Sequence, residues 1–190
     1  DPLPGRMYSG SPDVVVALAG QAVRASRDNG VTAVVKHFPG LGTTVVNTDL
    51  RPVRTAPFAQ LQRRDLRAFD RLAALGSDLM MSNARVPGLT GDEPAGLSAA
   101  AVDAARSQYG FADAVIYTDS LTAGAVDRPV PKAAAAAWAA DVDVALVVQA
   151  PSAPLAEDYV EPMIAAGRAA LSAGDLTEAR LDASVGRILQ

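Results

Sequence analysis

Asp119 is the residue around which reactive chemistry can be organised. It follows the apolar run 114–117, within Thr118-Asp119-Ser120. A carboxylate so placed can serve as a nucleophile or as a carrier of protons. Three other compact apolar runs, 31–35, 78–81 and 142–148, also end in polar residues. The first enters Lys36-His37, the second Ser82-Asn83 with Arg85 close behind, and the last Gln149. In parallel α/β folds the C-terminal strand edge gathers ligand and catalytic groups, because loops there vary without disturbing the core. Four polar clusters on one edge describe a pocket for a hydrogen-bonding ligand, with Lys36, Arg85 and Asp119 giving mixed charge. No Gly-rich phosphate cradle follows the strands, and Gly40-Leu41-Gly42 is too short and follows Pro39. A sugar therefore suits the pocket better than a phosphate.

Each of these residues also has a plainer reading. A strand-end aspartate is often the N-cap of the next helix, although Ser120-Leu121-Thr122-Ala123-Gly124 is not a clean helix start. His37 can be a satisfied core histidine, and Arg85 can tie down the loop that follows it. Trp138, in an alanine-rich helix, reads as packing, and Met80-Met81 as strand core. The run Gln62-Arg63-Arg64-Asp65 with Arg67 reads as a solvated helix face.

The elements that must position these groups alternate. The apolar runs lack apolar/polar alternation, as strands covered on both faces do. Between them lie helical patterns. Ser11-Pro12-Asp13 opens one with serine as cap and proline at the first helical position, and Asn29-Gly30 closes it. Residues 58–75 form the next, closing at Gly76. Ser98 caps 99–109, and 132–140, 156–171 and 181–189 supply the rest. Strand starts fall roughly 30 to 47 residues apart, the size of βα units. The expected fold is a parallel sheet with outer helices, and periodicity alone does not separate an open doubly wound sheet from a barrel.

Composition narrows the partners. At 190 residues the chain is expected to form a single domain, 1–190, long enough to bury a real core. A net charge of −4 argues against nucleic acid, which requires a basic face. With no cysteine and one histidine, disulfides, thiolate chemistry and histidine metal clusters are excluded, and no cofactor is expected. No apolar run approaches the ~20 residues of a membrane span. The sequence opens at Asp1 rather than methionine, so the lack of an export signal carries no information.

Four segments in order resemble glycoside hydrolase family 3, especially its bacterial β-N-acetylglucosaminidases. They are Val34-Val35-Lys36-His37-Phe38-Pro39-Gly40-Leu41-Gly42, the stretch from Leu79 through Ser82-Asn83-Ala84-Arg85 to Leu89, Tyr109-Gly110-Phe111 through Thr118-Asp119-Ser120 to Gly124-Ala125-Val126, and the closing Gly174-Asp175-Leu176 to Arg187-Ile188-Leu189. Gly5-Arg6 is similar to an arginine turn of the family. The resemblance implies a TIM-type (β/α) barrel, of which this chain supplies the C-terminal half with about four parallel strands. A full barrel takes ~250 residues, so a missing N-terminal half or a second chain is expected to complete it. Half a barrel exposes sheet edges and apolar helix faces, which predicts association or instability.

The same resemblance implies retaining hydrolysis of β-linked sugars, N-acetylglucosaminides by default. Asp119 matches the nucleophile, and Arg6, Lys36, His37, Asn83 and Arg85 fall at substrate-contacting positions. The family branch carries its proton donor as a histidine in an Asp-Ser-His triplet. Here the equivalent residues are Asn47-Thr48-Asp49, Leu41 stands where a histidine usually follows the Pro-Gly turn, and Asn83 stands where a histidine is common. Two expectations follow: Asp49 replaces the histidine as acid/base after burial by loop closure, or the chain binds glycans with weak or no turnover. A scaffolding barrel without sugar chemistry is a third. Related proteins are often exported or lipid-anchored, which implies a secreted or cell-envelope setting, with the cytoplasm as the alternative.

Overall fold

A computed structural model describes residues 5–148 and 156–190. Helix α1 (Pro12–Asp28) leads to strand β1 (Val34–Phe38); α2 (Phe58–Arg63) and α3 (Leu66–Ala73) lead to β2 (Asp78–Met81); α4 (Ala99–Gln108) leads to β3 (Ile116–Tyr117). Helices α5 (Val130–Ala139), α6 (Val160–Ala173) and α7 (Glu178–Ile188) complete the chain. The strands pair in parallel in the order β1-β2-β3. Such pairing with outer helices is what uniformly apolar strands require, since both sheet faces must be covered. The core is one cluster: Phe38, Leu79, Met81 and Ile116 from the sheet meet Leu61, Leu66, Val102 and Phe111 from around it. Phe38 sets its ring edge-on to Phe69 at 5.4 Å and Tyr109 at 5.7 Å. Trp138 packs against the α6 glycine Gly167, where a Cβ would lie 3.1 Å from its ring.

Several boundaries differ from the sequence reading. The first strand lies at 34–38 rather than 31–35, so Lys36 and His37 are inside it, beside an irregularity in register between Lys36 and Phe38. The third shrinks to two residues because side chains replace ladder partners: the Val115 N–H donates to Asp78 Oδ1 and the Ile116 N–H to Asp143 Oδ2. The expected strand 142–148 is a single bridge, Val144 to Tyr117, extended by Thr118 N–H to the Val144 carbonyl and Leu121 N–H to the Leu146 carbonyl. Gln149 lies outside the described residues.

The helix expected over 58–75 breaks at Arg64, whose φ −129° and ψ −78° leave the helical region. Gln62, Arg63, Arg64 and Arg67 are exposed, as a solvated face requires, and Asp65 alone departs from that reading. The Asp65 side chain is only 12% exposed and lies beneath the turn after β1.

Below the sheet, Asp143 is wholly buried between Arg106 and Arg187, whose Nη2 atoms lie 2.9 and 2.8 Å away, and accepts from the Ser184 hydroxyl. Asp141 pairs with the same two arginines and with Arg180. Helices α4 and α7 are thereby tied to the fourth strand segment. At the opposite margin β1 is the sheet edge, and Val14, Leu18, Val31 and Val34 near it are exposed. No described helix is long and apolar enough to cross a membrane.

Candidate active site

At the C-terminal strand edge lies a cavity of about 430 Å³. Arg6, Lys36, His37, Asp49 and Asp119 all line it, joined by Asn47, Thr48, Ser120 and Thr122. β1 brings Lys36 and His37, the segment after β3 brings Asp119, and the long connection from β1 to α2 brings Asp49. Two cis peptide bonds, Lys36–His37 and Phe38–Pro39, occur at the β1 end.

Asp119 is held on one side and open on the other. Its Oδ1 accepts the Ser120 N–H at 2.8 Å, while Oδ2 faces His37 Nε2 at 3.6 Å, beyond hydrogen-bonding distance. The backbone around it is fixed by polar side chains. Asn83 Nδ2 donates to the Ser120 carbonyl at 2.8 Å, Thr118 Oγ1 accepts from Leu146 N, and Thr122 Oγ1 donates to the Val148 carbonyl. Burial pushes the His37 pKa below 6.5, assisted by Lys36 and Arg6 and opposed by Asp119 and Asp49. The imidazole is therefore mostly neutral at pH 7, able to donate one hydrogen bond and accept another.

Asp49 sits in a local turn: Asn47 Nδ2 donates to Asp49 Oδ2 at 3.0 Å and Asp49 N–H to Asn47 Oδ1 at 2.9 Å. The side chain is exposed, so the burial expected on loop closure is not found in this conformation. The loop itself is docked. Gly124 N–H donates to the Asp49 carbonyl and Ala125 N–H to the Thr48 carbonyl, both at 2.9 Å. Only glycine allows the approach, because a Cβ on Gly124 would lie 2.5 Å from the Leu50 carbonyl oxygen.

Five of the seven residues singled out in the sequence line one cavity; Asn83 and Arg85 do not. Asn83 is fully buried and braces the backbone next to Asp119. Arg85 donates to the Asp92 carbonyl, the Ala125 carbonyl and the Asp127 carboxylate, the loop-tying role open to it in the sequence. Among the described residues no group of three or more histidine, cysteine, aspartate or glutamate side chains is arranged to hold a metal ion. Sequence reasoning missed Thr122 and the pairing of Gly124 with the Asp49 loop. The glycine itself was the available signal, since a glycine soon after a strand-end aspartate marks a close backbone approach.

A parallel sheet with outer helices and a cavity at its C-terminal strand edge is what part of a TIM-type barrel presents, and an open doubly wound sheet presents the same features. The sequence matches the glycosyl hydrolase family 3 N terminal domain over residues 1–190. It is 34% identical over 184 residues to the β-hexosaminidase LpqI of Mycobacterium tuberculosis, covering 93% of this chain and 47% of that protein. Among solved structures, a family 3 glycosyl hydrolase from Mycobacterium smegmatis superposes with TM-score 0.86 at 34% identity, covering 93% of this chain and 55% of that one. A family 3 β-N-acetylglucosaminidase from Paenibacillus sp. superposes with TM-score 0.87 at 31% identity, covering 97% and 35%. The chain belongs to glycosyl hydrolase family 3, within its N-terminal domain, and spans about half the length of the curated relatives first matched.

Proposed function

We propose that this chain carries the nucleophile half of a retaining glycoside hydrolase acting on β-linked sugars, N-acetylglucosaminides foremost. The observation that carries the reading is Asp119: one carboxylate oxygen is fixed by the Ser120 N–H and the other faces a cavity shared with Lys36, His37 and Arg6. In the first step Asp119 Oδ2 bonds to the anomeric carbon, the glycosidic C–O bond breaks, and the departing oxygen takes a proton from Asp49. In the second, Asp49 removes a proton from water, whose oxygen displaces Asp119 and frees the sugar with its configuration retained. Lys36, Arg6 and neutral His37 hydrogen-bond the sugar hydroxyls. Names of relatives support the substrate class: β-hexosaminidase and β-N-acetylglucosaminidase. The chemistry takes place outside the cytoplasm in this reading, as for a relative named a secreted glycosyl hydrolase in Arthroderma benhamiae.

A second reading, glycan binding without efficient turnover, is favoured by one observation: Asp49 is exposed and already bonded to Asn47. Paired assays separate the two. An aryl N-acetylglucosaminide with an activated leaving group reacts through Asp119 in both readings. Hydrolysis of an unactivated disaccharide that is lost in Asp49→Ala supports the hydrolase; binding of that disaccharide without turnover supports the binder. Failure of a fluorinated glycoside inactivator to label Asp119, together with no sugar binding, refutes both.

A further inference from the structure

Asp65 lies outside the cavity yet touches the segment that supplies two of its walls. The turn following β1 runs through Gly40, whose N–H donates to the His37 carbonyl at 2.8 Å. Asp65 lies directly against this turn. A Cβ on Gly40 would lie 2.6 Å from the Asp65 Cβ, and one on Gly42 would lie 2.9 Å from Asp65 Oδ1. Oδ1 is the carboxylate oxygen nearer Gly42, and Arg64 Nε lies 3.3 Å from the other oxygen, Oδ2. That other oxygen is buried and has no hydrogen-bond partner. A surface aspartate would not normally be drawn into so confined a place, since burying a carboxylate is costly unless it does something there.

We infer that Asp65 is a positioning residue for the sugar-binding pair Lys36 and His37, holding the Pro39–Gly42 turn so that both side chains face the cavity. It touches no substrate. The link from Asp65 through Gly42 and Gly40 to the His37 carbonyl is a contact chain in the fold; only its consequence for sugar binding rests on the function proposed above. Burial raises the Asp65 pKa against the pull of Arg64 and the Gly42 N–H.

The chain has a single histidine, so the imidazole C–H signals in the NMR spectrum of the 190-residue protein report on this site without any need for catalysis. The charged groups acting on His37 are Asp119, Lys36, Arg6 and Asp49, and all remain in every variant below. Asp65→Ala is expected to let water reach His37 and raise its titration midpoint toward 6.5 by about half a unit, roughly a threefold change in proton affinity. Asp65→Asn keeps an acceptor for the Gly42 N–H and is expected to stay near the wild-type midpoint. Asp70→Asn, on the exposed side of α3, is the control. Gly42→Ala approaches from the other side: it should shift His37 when Asp65 is present and add little in the Asp65→Ala background, where the colliding oxygen is gone. If Asp65→Ala does not fold, Gly42→Ala decides alone: an unmoved His37 midpoint in folded Gly42→Ala overturns the inference. With an aryl glycoside substrate, Asp65→Ala should raise KM about tenfold with kcat changed by less than about threefold, the pattern of lost uniform binding. An unmoved His37 midpoint in folded Asp65→Ala, or equal effects of Gly42→Ala in both backgrounds, overturns the inference. Absence of turnover in the wild type would count against the proposed function while leaving the His37 result to decide the role of Asp65.

Discussion

Gly124→Ala offers a sharp test of how the loop bearing Asp49 is held. Alanine suits the backbone at this position, which lacks the positive φ that demands glycine, so the effect must come from space. Its Cβ would stand 2.5 Å from the Leu50 carbonyl oxygen and 3.0 Å from that of Asp49, where ordinary contact begins at 3.4 Å. The loop must retreat by about 0.9 Å, which stretches the bonds from Gly124 N–H and Ala125 N–H to the carbonyls of Asp49 and Thr48. Two backbone hydrogen bonds at about 1 kcal/mol each set the stability cost at about 2 kcal/mol. A proton donor displaced by about 1 Å costs on the order of 10²-fold in rate. The assay compares an unactivated disaccharide with an aryl glycoside of good leaving group, alongside thermal unfolding. Hydrolysis of the disaccharide should fall about a hundredfold and that of the aryl glycoside by less than about fivefold, since only the first needs protonation. Equal losses on both substrates, or none on either, would refute the idea that the docked loop carries the proton donor.

Other perturbations follow from the same geometry. Asp119→Ala should reduce turnover of both substrates by at least ~10⁴-fold and abolish covalent labelling, read by mass spectrometry of the inactivated protein. Asp143→Ala leaves Arg106, Arg180 and Arg187 around an empty place and should cost about 3–5 kcal/mol, measured by urea denaturation. Burial raises the Asp143 pKa, but its bonds from Arg187, the Ile116 N–H and Ser184, with the charge of Arg106, lower it further, to a net value below 3.8. Its contribution is therefore complete above pH 3.8 and is lost as pH falls through 3.8 toward the depressed folded value, so the acid limb of stability should flatten in Asp143→Asn. His37 has the opposite chemistry with the same slope: its folded pKa lies below 6.5, so the unfolded chain binds the proton first and stability declines as pH falls below 6.5. His37→Gln should remove that decline, checked by unfolding midpoints between about pH 7 and pH 5.

The fold was legible because buried parallel strands leave a plain trace: the apolar runs at 78–81 and 114–117 locate the sheet, and their polar sequels locate its reactive edge. Where β3 shortened, side chains had replaced backbone partners. Asp78 and Asp143 accept the N–H groups of Val115 and Ile116, and no propensity reports such a substitution. Lys36 and Asp119 were readable from strand-end position, whereas Arg6 and Asp49 came only with the family resemblance. Asn83 and Arg85 show the limit of that rule: Asn83 stands two residues beyond its strand, as Asp119 does beyond β3, yet braces backbone instead of lining the cavity. Asp65 was hidden for a different reason. Charge density around 62–67 looks like solvated surface, and only the break at Arg64 turns one carboxylate inward.

The Asp49 loop is fastened by its main chain, through the carbonyls of Thr48 and Asp49, and this separates two kinds of inheritance. Main-chain fastening is indifferent to side-chain identity, so residues on the loop's outer surface can drift while the attachment persists. Val45 is 85% exposed and Leu50 75%, two apolar side chains flanking the fastened stretch. Neither lines the cavity, so both can change without touching the side chains that do. A library confined to positions 45 and 50 would vary the loop's outer surface while the cavity's own side chains stay constant.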